Sequence, residues 1–353
     1  MRRFRRGMII SLLSCVIIFS GCSATGVKKS TLVVLEADSL MVPFAQLQKQ
    51  FEQENPDINV ELQSFGSIQA IRQVTELGQQ ADIVAVADSS LIPMMMYQTK
   101  MSNGEPYANW DIESNTNQLV LAYTSTSKYA GELNVDNWYR IISRQDVTFG
   151  FTDPRIDSVG YRTLMTLGLA GSFYDDPTLV QDAVGKYFSM PLTADNVNGT
   201  TTISVPELLE PIAGRLVLRN VDMELLALLQ SGNIDYTIDY KSVVIQDGLK
   251  YLELPPEVNL GDIGDAQTYG KVVVQMDYQR FATVNPVFEG LPIIYGMTIP
   301  NNAQNTTAAI KFIQFVLGTE GQKIFLNCNQ PELIPPICDN ASALPGALKT
   351  LFP

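Results

Sequence analysis

The residues best placed to do chemistry are acids, serines and one glycine, each standing where a β run gives way to a helical pattern. In FTDPRIDSVGYRTLM, 151–165, the strand-like run Val147–Phe151 breaks at Asp153–Pro154. Asp157 then precedes a segment with Tyr161, Leu164, Met165 and Leu169 at apolar spacing. That is the pattern of strand, loop and helix start. Asp38–Ser39, Gly66–Ser67 and Asp222 share the same setting. A helix start carries free N–H groups and a positive dipole end, so it favours an anion. Each acid or serine also has an ordinary role as an N-cap. Asp157 therefore either caps its own helix or shares the site with a ligand. Four such starts point to a common anion pocket. Gly66–Ser67 has the clearest anion-binding character, because glycine admits a ligand to the backbone. Tyr240, at the end of a β run, either places a hydroxyl in the same cleft or packs as a core aromatic.

What is missing narrows the chemistry further. The chain has no histidine, which excludes Ser-His-Asp and Cys-His catalysis and all histidine metal sites. A net charge of −13 argues against nucleic acid as a partner. The first residues, MRRFRRG, then the apolar run Met8–Phe19, then FSGCS, read as a secretory leader. The apolar run is too short to span a bilayer. Cys22 directly after Ser20–Gly21 resembles a lipobox, making Cys22 the lipid-modified first residue of the mature chain. Loss of residues 1–21 leaves 332 residues and lowers the formal charge from −13 to −17. Cys328 and Cys338, ten residues apart in a chain that works outside the cytoplasm, are expected to form a loop-closing disulfide.

The elements that must position these groups alternate. Thr31–Glu36 reads as a strand. A helix follows with Leu40, Phe44, Leu47 and Phe51 on one face, and Asp38 or Ser39 as its cap. Ile58–Phe65 is a second strand, GSIQAIRQVTELG a second helix, and Asp82–Asp88 a third strand. Such β-α-β-α-β order implies a parallel sheet with helices on its faces. Ser102–Gln118 is polar and aperiodic, and reads as a crossover. A second α/β series starts at Leu119–Thr124, and its last clear pair is DMELLALLQSG and Ile234–Tyr240. The expected architecture is two α/β lobes around a ligand cleft. Residues 22–30 would be a tether, 31–116 the first lobe, 117–245 the second, and 246–353 a return to the first. In open parallel sheets, ligands gather beyond the C-terminal strand ends.

The order of ADSLMVPFAQL, GSIQAIRQVTELGQQADIVAVADSSLIP, LVLAYTSTSKYA, NWYRII, FGFTDPRIDSVGYR, LLQSGNIDYTIDYKSV and PIIYGMTIP resembles the solute-binding component of archaeal-type tungstate and molybdate ABC importers. The likeness runs from about Thr31 to Pro336. It implies a type II periplasmic-binding fold closing over a bare oxyanion. The family's first Gly-Ser turn falls on Asp38 and Ser39, and the serine of its second turn on Ser67. Its Asp-Pro-Cys-Gly-Tyr-Arg motif falls on Asp157, with Ser158 and Val159 in place of Pro-Cys. Its glutamate falls on Asp222 and its tyrosine on Tyr240. The resemblance implies that Asp157 and Asp222 each place an oxygen on the tungsten or molybdenum, making it six-coordinate.

The expectation is therefore a lipid-anchored binding protein on the outer face of the cytoplasmic membrane, delivering tungstate or molybdate to a permease. It would be monomeric and need no cofactor besides its ligand. Sulfate or phosphate is an alternative cargo, because Asp38 adds negative charge where the family has glycine. So is a hard cation such as iron, bound by Asp and Tyr oxygens. From another class, an extracellular carboxylate-dependent glycosidase would need two acids flanking a sugar-sized groove.

Overall fold

The computed structural model describes residues 29–212, 214–277 and 287–352. The leader, Cys22 and most of the tether lie outside the described residues. Ser30–Ala37 is flanked by Ile58–Phe65 and Ile83–Val86, all parallel. The helices Met41–Glu54 and Ser67–Thr75 connect them. Val34, Leu35, Ile83, Val84 and Ala85 are sealed from solvent, as a parallel sheet covered on both faces requires. Ile294–Thr298, Ile112–Thr116 and the edge strand Glu332–Cys338 complete six strands in antiparallel pairings.

A five-stranded sheet runs Lys250–Glu253, Leu119–Tyr123, Tyr236–Tyr240, Phe149–Thr152 and Leu216–Arg219. A smaller sheet of Val287–Glu289, Val272–Met276, Thr200–Val205 and Thr193–Val197 packs against the buried helix Ser158–Phe173. The first turn of that helix lies directly on the loop behind Phe149–Thr152. A Cβ on Gly160 would stand 2.5 Å from the Thr152 carbonyl oxygen, so only glycine fits. The expected two-lobe α/β architecture is thus present. The chain leaves the first sheet for the second at Asn117–Gln118.

Four details differ from expectation. The second lobe does not end at 245: Lys250–Glu253 pairs with Leu119–Tyr123, and Val272–Met276 with Thr200–Val205. The return to the first sheet comes only after Glu289, because these strands lack the helical spacing that marked the earlier units. Ser102–Gln118 is not all crossover, since Ile112–Thr116 is a central strand whose polar residues are buried by pairing on both edges. The first helix begins late: Asp38–Leu40 is a 3-10 turn, and neither Asp38 nor Ser39 caps with its side chain. The Cys328–Cys338 disulfide is not formed. Cys328 ends the helix Thr319–Asn327 and its thiol accepts from Gln46 Nε2 at 3.4 Å. Cys338 closes the edge strand Glu332–Cys338 opposite Ile112.

Candidate functional site

Two helix starts from opposite lobes meet at Gly66 and Asp157. A Cβ on Gly66 would lie 2.8 Å from the Ile156 carbonyl oxygen and 3.0 Å from Asp157 Cβ. Glycine is required here by the approach of the other lobe. The Gln69 amide bonds that same carbonyl at 3.2 Å. Ser67 Oγ accepts the Ala87 amide at 3.1 Å and stands 3.3 Å from Ser158 Oγ, which is 2.8 Å from Tyr240 Oη. Ser67, Ser158 and Tyr240, one from the first lobe and two from the second, therefore form one hydroxyl cluster. Tyr240 is a sealed core aromatic whose hydroxyl faces Ser158 and Arg162. Ser39 joins through Tyr295, whose hydroxyl donates to Ser39 Oγ at 3.2 Å and whose ring lies 5.9 Å from that of Tyr240. Val159 follows in the first helical turn, buried, with its amide against the Asp157 carboxylate.

The acids are the anomaly. Asp157 occupies the N-cap position, yet its side chain makes no capping bond. Asp222 is the first residue of the helix Asp222–Gln230. Both are sealed, and no oxygen of either carboxylate completes a hydrogen bond, although the Ser158 and Val159 amides face Asp157 and the Met223 amide faces Asp222. Native proteins rarely leave buried acceptors so. Burial, then the charge of Asp222, pushes the Asp157 carboxyl up to about 8, against the pull of the Val159 and Ser158 amides and Arg162. Burial likewise raises Asp222, to about 6, against the favourable contact with Asp38 and the Met223 amide. Asp38 is held well above the carboxylate range by burial and by the charges of Asp222 and Asp157. The Asp38 and Asp222 carboxyls act on one another, an interaction that is attractive only while one of them carries a proton. All eight sequence-predicted positions lie at or beside this one site, none more than 7 % exposed.

Sequence reasoning missed the residues that make the cluster work. Arg162 is buried and donates through Nη1 to the Ala87 carbonyl and to Tyr240 Oη, both at 2.6 Å. It also pairs with Asp88 across the lobes at 3.3 Å. Tyr161 donates to the same Asp88 at 2.6 Å. Helical spacing could have found Arg162, since it lies one turn after Ser158 on the same face. Asp239 is a fourth sealed carboxyl, raised well above its usual range by burial and by Asp222; its Oδ1 accepts the Tyr240 amide at 2.6 Å. Nothing local marks Tyr295, whose partner is 256 residues away. A cavity of about 590 Å³ lined by Arg72, Arg155, Ile156 and Met190 reaches the residue before Asp157. Among the described residues no group of three or more His, Cys, Asp or Glu side chains is arranged to hold a metal ion.

Residues 32–327 match the family described as bacterial extracellular solute-binding protein. The chain is 37 % identical over 348 residues to the molybdate/tungstate-binding protein WtpA of Pyrococcus abyssi, covering 94 % of this chain and 95 % of that one. It is 36 % identical to WtpA of Thermococcus kodakarensis, over 94 % and 92 %. Among solved structures, its fold is similar to the periplasmic molybdate-binding protein of Azotobacter vinelandii, with TM-score 0.52, 16 % identity and coverage of 85 % and 98 %. It is also similar to the sulfate-binding protein SubI of Mycobacterium tuberculosis, with TM-score 0.54, 12 % identity and 92 % of each chain.

Proposed function

The chain belongs to the bacterial extracellular solute-binding proteins, and from that premise we propose that it captures tungstate or molybdate and delivers it to an ABC permease. The observation that carries the choice of cargo is the pair of orphaned carboxylates, Asp157 and Asp222. Two unit charges 4 Å apart repel by about 4 kcal/mol at an effective dielectric of 20. Ionised carboxylates beside a dianion are therefore costly unless they bond to it. A tungsten or molybdenum centre can accept two further oxygens and become six-coordinate, whereas sulfur in sulfate cannot. Ser39, Ser67, Ser158 and Tyr240 then hold the oxo groups by hydrogen bonds, with the Val159 amide beside them. The WtpA relatives, similar over nearly their whole length, support this cargo.

Release outside the cytoplasm and lipid attachment through Cys22 complete the reading, with the tether leading to the first lobe. The protein acts as a monomer, needs no resident cofactor, and binds neither nucleic acid nor membrane except through its lipid. A glycosidase needs a groove the size of a sugar between its acids, whereas here the acids are packed in a closed site. The test is metal analysis of protein purified in the presence of tungstate, molybdate, sulfate and ferric iron. Stoichiometric tungsten or molybdenum is expected. Retained iron, or no retained oxyanion, would overturn the reading.

A further inference from the structure

The turn Asp38–Leu40 carries its own acceptor. Asp38 Oδ1 takes the Ser39 amide at 3.0 Å inside the protein, and its Oδ2 has no partner. The backbone around it is held without help from that side chain. The Asp38 carbonyl accepts the Met41 amide, and Gln330 Nε2 donates to the Ser39 carbonyl at 3.0 Å. The carboxyl is therefore the part of this turn that can move, by rotation about its own side-chain bonds.

The same carboxyl faces the other lobe. The turn Asp38–Leu40 packs against the helix Asp222–Gln230, and the strongest charges acting on Asp38 are those of Asp222 and then Asp157. A backbone amide has a single hydrogen to give. While Asp38 Oδ1 holds it, the Ser39 amide offers nothing to a second acceptor, and Ser39 meets the cleft through its hydroxyl alone. An oxyanion seated between Ser39 and Asp222 would present an oxygen to that amide and its centre to that acid. The Asp38 carboxyl already makes the first of these contacts and stands on the side of the second. Glycine at this position, as in the resembled family, leaves the amide uncovered.

We propose that the Asp38 carboxyl is an internal stand-in for one oxygen of the cargo, occupying the Ser39 amide until an entering oxyanion displaces it. This rests on the reading of the cleft as an oxyanion site. The bond from Ser39 to the cargo replaces one already made, so binding gains less from it. On release, the returning side chain takes the amide back and helps the cargo to leave. The stand-in weakens every oxyanion that uses the Ser39 amide, tungstate and sulfate alike. Asp38 thus sets affinity and release, while the choice of anion stays with Asp157 and Asp222.

The experiment is calorimetric titration of wild type, Asp38→Ala, Asp38→Gly and Asp38→Asn with tungstate and with sulfate. Amide exchange of Ser39, followed by NMR in the ligand-free proteins, accompanies it. Asp38 does not stand in the left-handed region, so alanine takes its backbone conformation without strain. Asp38→Ala and Asp38→Gly should bind both anions roughly tenfold tighter, the worth of one hydrogen bond to a charged group. Their release, measured by stopped flow, should slow, and Ser39 amide exchange should quicken in both. Asp38→Asn keeps an oxygen that can accept from Ser39 and should leave affinity and exchange close to wild type. Equal gains in Asp38→Asn and Asp38→Ala would assign the effect to charge and overturn the proposal. Unchanged or weaker binding in Asp38→Ala would overturn it too, as would Ser39 exchange that is the same in all four proteins. Wild type that binds sulfate but not tungstate would sink the assigned cargo while leaving the stand-in to be judged on sulfate. Wild type that binds neither anion would end both.

Discussion

Asp157 stands at the start of its helix without capping it, and a single substitution separates its possible roles. If Asp157 and Asp222 bond to the metal of the cargo, Asp157→Ala and Asp222→Ala should each weaken tungstate by about a hundredfold or more, close to 3 kcal/mol. Sulfate, held by hydrogen bonds alone, should bind as well or better, since a repelling charge has gone. Titration of both variants with both anions measures this, and equal losses would reduce the two acids to scaffolding. A second residue-scale prediction concerns Glu36, sealed in the central strand, with Oε1 bonded to Ser64 and Oε2 unpartnered. Burial, against the Ser64 bond, pushes its carboxyl up to about 8 from 4.5. Between those values the folded chain holds a proton that the unfolded chain has lost. Stability of the ligand-free protein therefore falls as pH rises through that window. Glu36→Gln should flatten the slope and raise the melting temperature at pH 8 by several degrees. A thermal series from pH 5 to 8.5 that shows the same slope in both proteins would refute it.

At the scale of elements, the closed site depends on how near two helix starts can come. Gly66 begins the helix Ser67–Thr75 against the carbonyl of Ile156. Gly66→Ala puts a methyl 2.8 Å from that oxygen, and the obstacle is backbone, which cannot rotate aside. The lobes must part by a few tenths of an ångström. The substitution removes no core side chain, so the ligand-free melting temperature should barely change. Affinity should drop at least about tenfold, mostly through faster dissociation, because hydrogen bonds across the cleft lengthen together. Stopped-flow release of tungstate is the measurement, and an unchanged off-rate would show that closure does not depend on this contact. The four helix starts were legible because strand-end, small or acidic residue and apolar periodicity fall within a dozen residues. The strand Ile112–Thr116 was not, since polar residues buried by pairing on both edges carry no alternation, and the half-exposed edge strand Lys250–Glu253 was not, since four residues are too few to show a period.

For the whole molecule, attachment and capture are separate problems. Cys22 lies outside the described residues, and the first sheet begins at Ser30. Cys22→Ala should therefore yield a protein that binds its anion with wild-type affinity but leaves the membrane fraction, because lipid chains and not a spanning helix hold it. No helix among the described residues is long and apolar enough to cross a bilayer. A variant that stays with the membranes after leader removal would disprove the anchor.

Local sequence determined the alternating elements, the positions of the acid- and serine-bearing turns and the absence of histidine chemistry, because each of these is written within a few neighbouring residues. Tertiary structure alone decided which groups share a site. Ser39 meets Tyr295, Arg162 meets Asp88 and Ser67 meets Ser158 across 256, 74 and 91 positions of chain. It also decided against the Cys328–Cys338 bridge: both thiols are free, one at the end of a helix and the other at the end of an edge strand. The charge state of the four acids belongs to the fold as well. Each would be an ordinary carboxylate in water, and only their joint burial raises all four together.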